Sequence, residues 1–199
     1  MARPRLVSDR EILDAARACF VEQGPQVSTA VIAEQVGLSQ AALFKRFGTK
    51  QQLLMAALAP PEIPEWIALV ERGPDERPIP EQLTEIAQAI SEFFVEMTPR
   101  LATMWASGCD MRAIMAQFKV PPPIRGLQAL TQWFEAARDA GRIGDCNPRA
   151  LALMYIGSLN GRAWMGTILG SETVNVDLDQ YASQLAQTMW RGLAPEEGE

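Results

Sequence analysis

Apolar side chains along this chain recur three and four residues apart, and nowhere do they alternate over a length that would make a convincing strand. An all-α fold follows, with proline and glycine marking the breaks between helices. Ser8-Asp9-Arg10-Glu11 opens the first helix, because Ser8 and Glu11 stand at the spacing of a capping box. That helix runs to about Gly24 and gathers Ile12, Leu13, Ala16, Cys19 and Phe20 on one face. Ser28 or Thr29 caps a short second helix through about Val36. Ala59-Pro60-Pro61 breaks the pattern, a short helix is expected over 64–72, and 73–80 reads as a loop. A long helix is predicted from Pro80 to Met97, with Leu83, Ile86, Ala87, Ile90, Phe93 and Phe94 facing inward. Thr98-Pro99 then restarts another to about Ser107. Shorter segments follow over 110–118 and from Pro121 to Ala140. Asn147-Pro148 pairs an N-cap with a first-turn proline and opens a helix to about Leu169. Asp177 opens the last.

Histidine is absent from all 199 residues. That excludes His-based triads, His-ligated zinc and the commonest general acid–base at one stroke. The three cysteines, Cys19, Cys109 and Cys146, are odd in number and widely spaced, so neither a disulfide framework nor a zinc ribbon is expected. Cys19 falls on the apolar side of its helix and reads as a small core residue. No phosphate-binding loop, nucleophile elbow or metalloprotease motif is present, and Glu92 with Glu96 reads as a solvated helix face. We expect no enzyme, no cofactor and no metal. The first ten residues hold four charges and no apolar run, unlike a secretory signal. The most apolar stretch, 150–170, carries Asn160 and Arg162 at its centre, which a lipid-facing helix does not tolerate cheaply. A cytoplasmic protein without membrane contact is the expectation.

The net charge of −6 argues against a polyanionic partner until it is divided. Residues 1–58 hold seven basic and five acidic side chains, a balance of +2, which leaves −8 on the rest. One end is therefore suited to approach a polyanion while the acidic body keeps the molecule soluble.

That end also carries the motif. Val36-Gly37-Leu38-Ser39 places a glycine at a tight turn, an apolar residue after it and a capping serine before a helix from Gln40 to Phe47. Leu43 and Phe47 point toward the preceding helices. Gln40, Ala41, Phe44 and Lys45 share an arc of roughly 140° at about 100° per residue and remain free for a partner. A B-DNA major groove about 12 Å wide admits one such helix. Gln40 has the donor and acceptor for adenine, Lys45 reaches guanine or phosphate, Phe44 suits a thymine methyl, and small Ala41 lets the helix approach. Lys50 stands at the start of the next helix, where its ammonium and the free amides hold one phosphate together. Arg3 and Arg5 form a basic arm suited to the adjacent minor groove.

The run Ser28 to Leu54 closely resembles the DNA-binding signature of the tetracycline-repressor (TetR) family. The likeness lies in Ile32-Ala33, Val36-Gly37-Leu38-Ser39, Leu43-Phe44, Phe47, and Lys50 followed by Leu53. It is specific over 9–58, and beyond that extends only to length and helix count. It implies a three-helix DNA-binding domain with a helix-turn-helix over 1–58, and a larger helical ligand-binding and dimerisation domain over 59–199. It also implies a regulator, a repressor released from a palindromic operator by a small apolar or aromatic effector. The alternative is a DNA-organising protein of the same fold that needs no ligand. Family members often carry tyrosine where Phe44 stands, so phosphate contacts are expected to fall more on Thr29, Lys45 and Lys50, with Ser28 and Ser39 also counted among the DNA-binding residues.

The resemblance further implies a homodimer through the last two helices. Gly157 and Gly161 stand at i, i+4, where helix backbones approach closely, and Leu178, Tyr181, Leu185 and Met189 form a stripe on the final helix. Phe93, Met97, Met104, Trp105, Met115, Phe118 and Trp133 are the expected walls of an effector pocket, since methionine and aromatic side chains make adaptable apolar surfaces.

Overall fold

The computed structural model describes residues 7–61, 63–174 and 177–194. Every regular element among them is a helix. They are α1 (Asp9–Gln23), α2 (Thr29–Gln35), α3 (Gln40–Phe47), α4 (Lys50–Leu58), α5 (Glu65–Val70), α6 (Ile79–Ala106), α7 (Met111–Met115), α8 (Pro122–Asp139), α9 (Pro148–Leu169), α10 (Ser171–Val174) and α11 (Leu178–Leu193). The chain divides into two compact units, Met1–Pro60 with Pro99–Met111, and Pro61–Thr98 with Arg112–Glu199. The first therefore takes in Pro99–Met111, which the sequence assigned to the C-terminal part.

In the first unit, α1 packs on α2 and α4, and α3 packs on α2 and α4. Ile12, Ala16, Phe20, Ile32, Leu43 and Leu58 are wholly buried there. Helices of seven to nine residues are marginal alone, so their order comes from this packing and from their caps. The Arg17 Nε donates to the Ala57 carbonyl at 2.9 Å and ties α1 to the end of α4. Cys19 is buried, its thiol donates to Gln35 Oε1 at 2.8 Å, and burial beside Glu22 raises its pKa. It is a core residue, kept protonated.

In the second unit, α5, α6, α8, α9 and α11 surround one core that includes Ile67, Leu83, Ile90, Leu130, Phe134, Tyr155 and Ala186. The buried Tyr155 hydroxyl donates to the Leu83 carbonyl, which joins α9 to α6. Gln82, only 3% exposed, staples the loop before α6: its Nε2 donates to the carbonyls of Asp75 and Arg77, and its Oε1 accepts from the Asp75 N–H. Asn147 and Asp177 cap α9 and α11 as the sequence predicts.

The two helices expected on either side of Thr98-Pro99 are one helix of 28 residues with Pro99 inside it. Proline there removes the hydrogen bond to the carbonyl of Val95. Val95 lies on an exposed face, so water can take that carbonyl, and the remaining turns are held by packing. A proline therefore marks a break in a hydrogen-bond ladder here without ending the helix. The four-residue α10 had no counterpart in the sequence reading.

Gly126 on α8 lies hard against Trp66, because a Cβ built on it would stand 2.6 and 2.8 Å from Cη2 and Cζ2 of that ring. Alanine ordinarily stabilises a helix interior by about 1 kcal/mol relative to glycine. Forcing a methyl into a packed indole costs about 1–3 kcal/mol, and the ring has little freedom to retreat. Gly126→Ala is expected to lower the melting temperature in thermal unfolding. An increase would mean that helix propensity outweighs the clash.

Candidate nucleic-acid interface

The turn between α2 and α3 is built from backbone bonds that only a glycine makes easily. Leu38 N–H donates to the Ala33 carbonyl at 2.8 Å and Gly37 N–H to the Glu34 carbonyl at 3.0 Å, the paired bonds of a Schellman motif. Gly37 sits at φ +69°, where a side chain is strained. Ser39 then caps α3 by accepting from the Ala42 N–H at 3.2 Å, and Ser28 caps α2 from the Ala30 N–H at 3.2 Å. With both ends fixed, Leu43 is fully buried, Phe47 is half-buried, and Gln40, Ala41, Phe44 and Lys45 face solvent.

Gly48 has φ +75° and turns the chain into α4. Thr49 and Gln52 form a capping box there: Thr49 Oγ1 accepts from the Gln52 N–H, and Gln52 Oε1 accepts from the Thr49 N–H at 2.8 Å. The amides of Lys50 and Gln51 are left pointing outward from a helix N-terminus beside the half-buried Lys50 side chain. Arg46 is engaged elsewhere, since its Nη1 donates to the Val7 carbonyl at 2.6 Å and pairs with Asp9. It pins the entry to α1 against α3, a role the sequence reading did not find.

Thr29 departs from expectation. It is 4% exposed, and its Oγ1 accepts from Gln40 Nε2 at 2.6 Å. That leaves Thr29 less open to a phosphate than its place at a helix start suggests. Arg3 and Arg5 lie outside the described residues.

Within the second unit, the expected effector residues Phe93 and Phe118 line different grooves. Phe93 lines a half-open groove of about 580 Å³ between α5 and α6, with Ile63, Trp66 and Leu69 as apolar wall and Glu65, Arg72, Glu92 and Glu96 as charged lining. Its ring lies 6.4 Å from that of Trp66 and 5.4 Å from Phe94. Phe118 lines a second groove with Glu71, Lys119 and Arg125. Met97, Met104 and Trp133 are packing residues no more than 2% exposed, Trp105 is exposed, and Met115 is half-buried on α7. Trp66 and Leu69 did not figure among the expected residues because a six-residue helix is too short for its periodicity to show a face.

On α9, Gly157 and Gly161 are exposed with open space where a Cβ would stand. They lie in a stripe the sequence reading did not trace, for Leu153, Met154, Met165 and Ile168 are 61%, 65%, 54% and 69% exposed. Tyr181, Leu185 and Met189 on α11 are half-buried against their own core, as Leu178 is half-buried, and the Tyr181 hydroxyl donates to the Ser158 carbonyl at 3.2 Å. Arg162 lies over the Tyr181 ring, 5.8 Å from its centroid. Among the described residues no three His, Cys, Asp or Glu side chains come together to hold a metal, and no helix is long and apolar enough to cross a membrane.

Residues 12–57 match the model of the bacterial regulatory proteins of the tetR family. No curated protein sequence matches the chain. Among solved structures, a TetR-like transcriptional regulator from a Rhodococcus species is similar, with a TM-score of 0.65 and 18% identity over 96% of this chain and 98% of that one. The TetR-family transcriptional regulator PfmR from Thermus thermophilus gives 0.62 and 20% over 90% and 97%. The fatty acid degradation regulator FadR from Bacillus halodurans gives 0.63 and 14% over 95% and 96%. At these identities the likeness is one of fold. The N-terminal segment carries the TetR-family DNA-binding domain, and the chain as a whole has the fold of TetR-family regulators.

Proposed function

From a TetR-family DNA-binding domain on a TetR-type fold, we propose that this protein is a repressor that binds a palindromic operator as a homodimer and leaves it when a small apolar or aromatic molecule binds. The observation that carries the reading is the solvent face of α3, where Gln40, Ala41, Phe44 and Lys45 stand exposed on a helix whose opposite side is anchored by buried Leu43. A groove-filling helix needs that combination of a rigid back and a short, polar and basic front. The function is binding and its modulation, carried out in the cytoplasm, not catalysis.

Lys50 and the first amides of α4 supply a backbone contact that fixes register without reading sequence. Selection of bound fragments from random duplex DNA tests the reading directly, and a protein that enriches nothing at low salt refutes it. Against the selected site, Lys50→Ala is expected to weaken binding nearly uniformly across sequences and to lower the salt-dependence slope by about one unit. An unchanged slope removes Lys50 from the interface.

Two copies reading a palindrome gain far more affinity than one short helix provides. The exposed α9 stripe supports self-association, with Gly157 and Gly161 allowing backbone approach between flanking Leu153, Met154, Met165 and Ile168. Gly161→Leu, whose Cβ stands in open space, is expected to shift the sedimentation coefficient from dimer to monomer while leaving helix content intact. A dimer that survives this change places the interface elsewhere.

The groove between α5 and α6 is of a size that small-molecule sites occupy. Its Trp66 and Phe93 suit an aromatic body, and Glu65, Glu92 and Glu96 against Arg72 favour a neutral or cationic compound over a carboxylate. Compounds that release the operator from the unaltered protein should need about tenfold higher concentration against Phe93→Ala, the loss expected from one aromatic contact. Release by the same concentrations would move the effector site away from this groove.

A further inference from the structure

Thr29 and Gln40 are the first residues of α2 and α3, and their side chains meet across the turn. Gln40 is exposed, whereas Thr29 is 4% exposed, so one partner faces outward and the other is held by the core. We infer that Thr29 is a positioning residue whose buried hydroxyl sets the orientation in which Gln40 presents its carboxamide to a base. The inference rests on the DNA-reading role proposed for Gln40.

The argument is one of counting donors and acceptors. A glutamine carboxamide has two N–H donors and one carbonyl oxygen. Adenine in the major groove offers an acceptor at N7 and a donor at N6, so a bidentate contact needs one N–H and the oxygen together. Thr29 Oγ1 accepts from Gln40 Nε2 at 2.6 Å. That bond takes one N–H and leaves the other, with Oε1, for the base. Without the threonine the amide is free to turn by half a rotation, which exchanges oxygen and nitrogen and reverses the donor–acceptor order that adenine requires. An exposed long side chain also retains several rotamers, and losing them on binding opposes affinity. The bond to Thr29 restrains the Gln40 side chain before DNA arrives. Its side chain is anchored on α2 beneath Ser28, whose own hydroxyl is committed to the Ala30 N–H, so the two adjacent hydroxyls have separate tasks.

The test is selection from random duplex DNA by the full chain and by Thr29→Val, Thr29→Ser and Gln40→Ala. Valine keeps the threonine shape and deletes the hydroxyl, donor and acceptor together, and Gln40 then turns its N–H to water, so the fold is expected to persist. The serine variant restores the hydroxyl. Gln40→Ala identifies the base pair that Gln40 reads, where the unaltered protein should prefer adenine by roughly 5- to 150-fold, the range for one bidentate contact. Thr29→Val is expected to flatten that same position at least severalfold while other positions keep their preferences, and Thr29→Ser is expected to retain the preference. Equal weakening for every sequence, or a Thr29→Val profile identical to the unaltered one, overturns the positioning role and leaves DNA binding standing. If the unaltered chain enriches no duplex, the reading beneath the inference fails with it. Should Thr29→Val fail to fold, the serine and Gln40→Ala profiles still decide: loss of the adenine preference in Thr29→Ser, with a native melting temperature, overturns the inference.

Discussion

The burial of Leu43 beneath α3 is the constraint on which the DNA-facing surface depends. An eight-residue helix has too few internal bonds to persist alone, and only one of its side chains is fully buried. The direction of α3 therefore follows from three local devices acting together: the Schellman bonds at Gly37, the Ser39 cap and the Leu43 anchor. Each fixes a different degree of freedom. The turn sets the angle to α2, the cap sets where the helix starts, and the anchor sets its rotation about its own axis. Loss of any one would leave Gln40 and Lys45 exposed but no longer aimed.

These devices are short in sequence, which is why the motif was legible before the structure was at hand. A glycine at φ +69°, a serine three residues before the amide it caps, and an i, i+4 pair are separated by fewer residues than one helix. The hydrogen bonds they make are with near neighbours in the chain, so composition at fixed offsets is enough to read them. Thr29 was misplaced for the opposite reason. Its partner Gln40 is eleven residues away on another helix, and a threonine at a helix start looks the same from sequence whether it faces water or core.

The second unit was less legible. Pro99 suggested a break, yet the helix runs through it, because the missing hydrogen bond falls on an exposed turn where water substitutes. Helix α9 is apolar nearly all the way round, so its sequence has no polar side from which to tell the buried face from the exposed one. Periodicity carries information only where it contrasts, and here Leu151, Tyr155 and Leu159 face the core while Met154, Met165 and Ile168 do not. Effector walls are hard to read for a similar reason. Methionine and aromatic residues fill cores and line cavities alike, and Met97 and Trp133 do the former.

What is exposed in the two units sorts their partners by charge. The surface about α3 combines a half-exposed Phe44 with Lys45 and Lys50, and no acidic residue occurs between Glu34 and Lys50. Such a surface suits a polyanion that also offers apolar edges, which a duplex groove does. The surface of α9 is different in kind. From Leu151 to Leu169 its only ionisable groups are Tyr155, which is buried, and Arg162, whose guanidinium lies over Tyr181 of its own chain. An uncharged apolar stripe repels neither sign and offers a charged partner nothing, and leaving several large side chains in water costs free energy that an apolar partner would recover. In the proposed homodimer a second copy of the same stripe would meet that requirement without any matching of charge, and the open space at Gly157 and Gly161 would leave room for the two backbones about a two-fold axis.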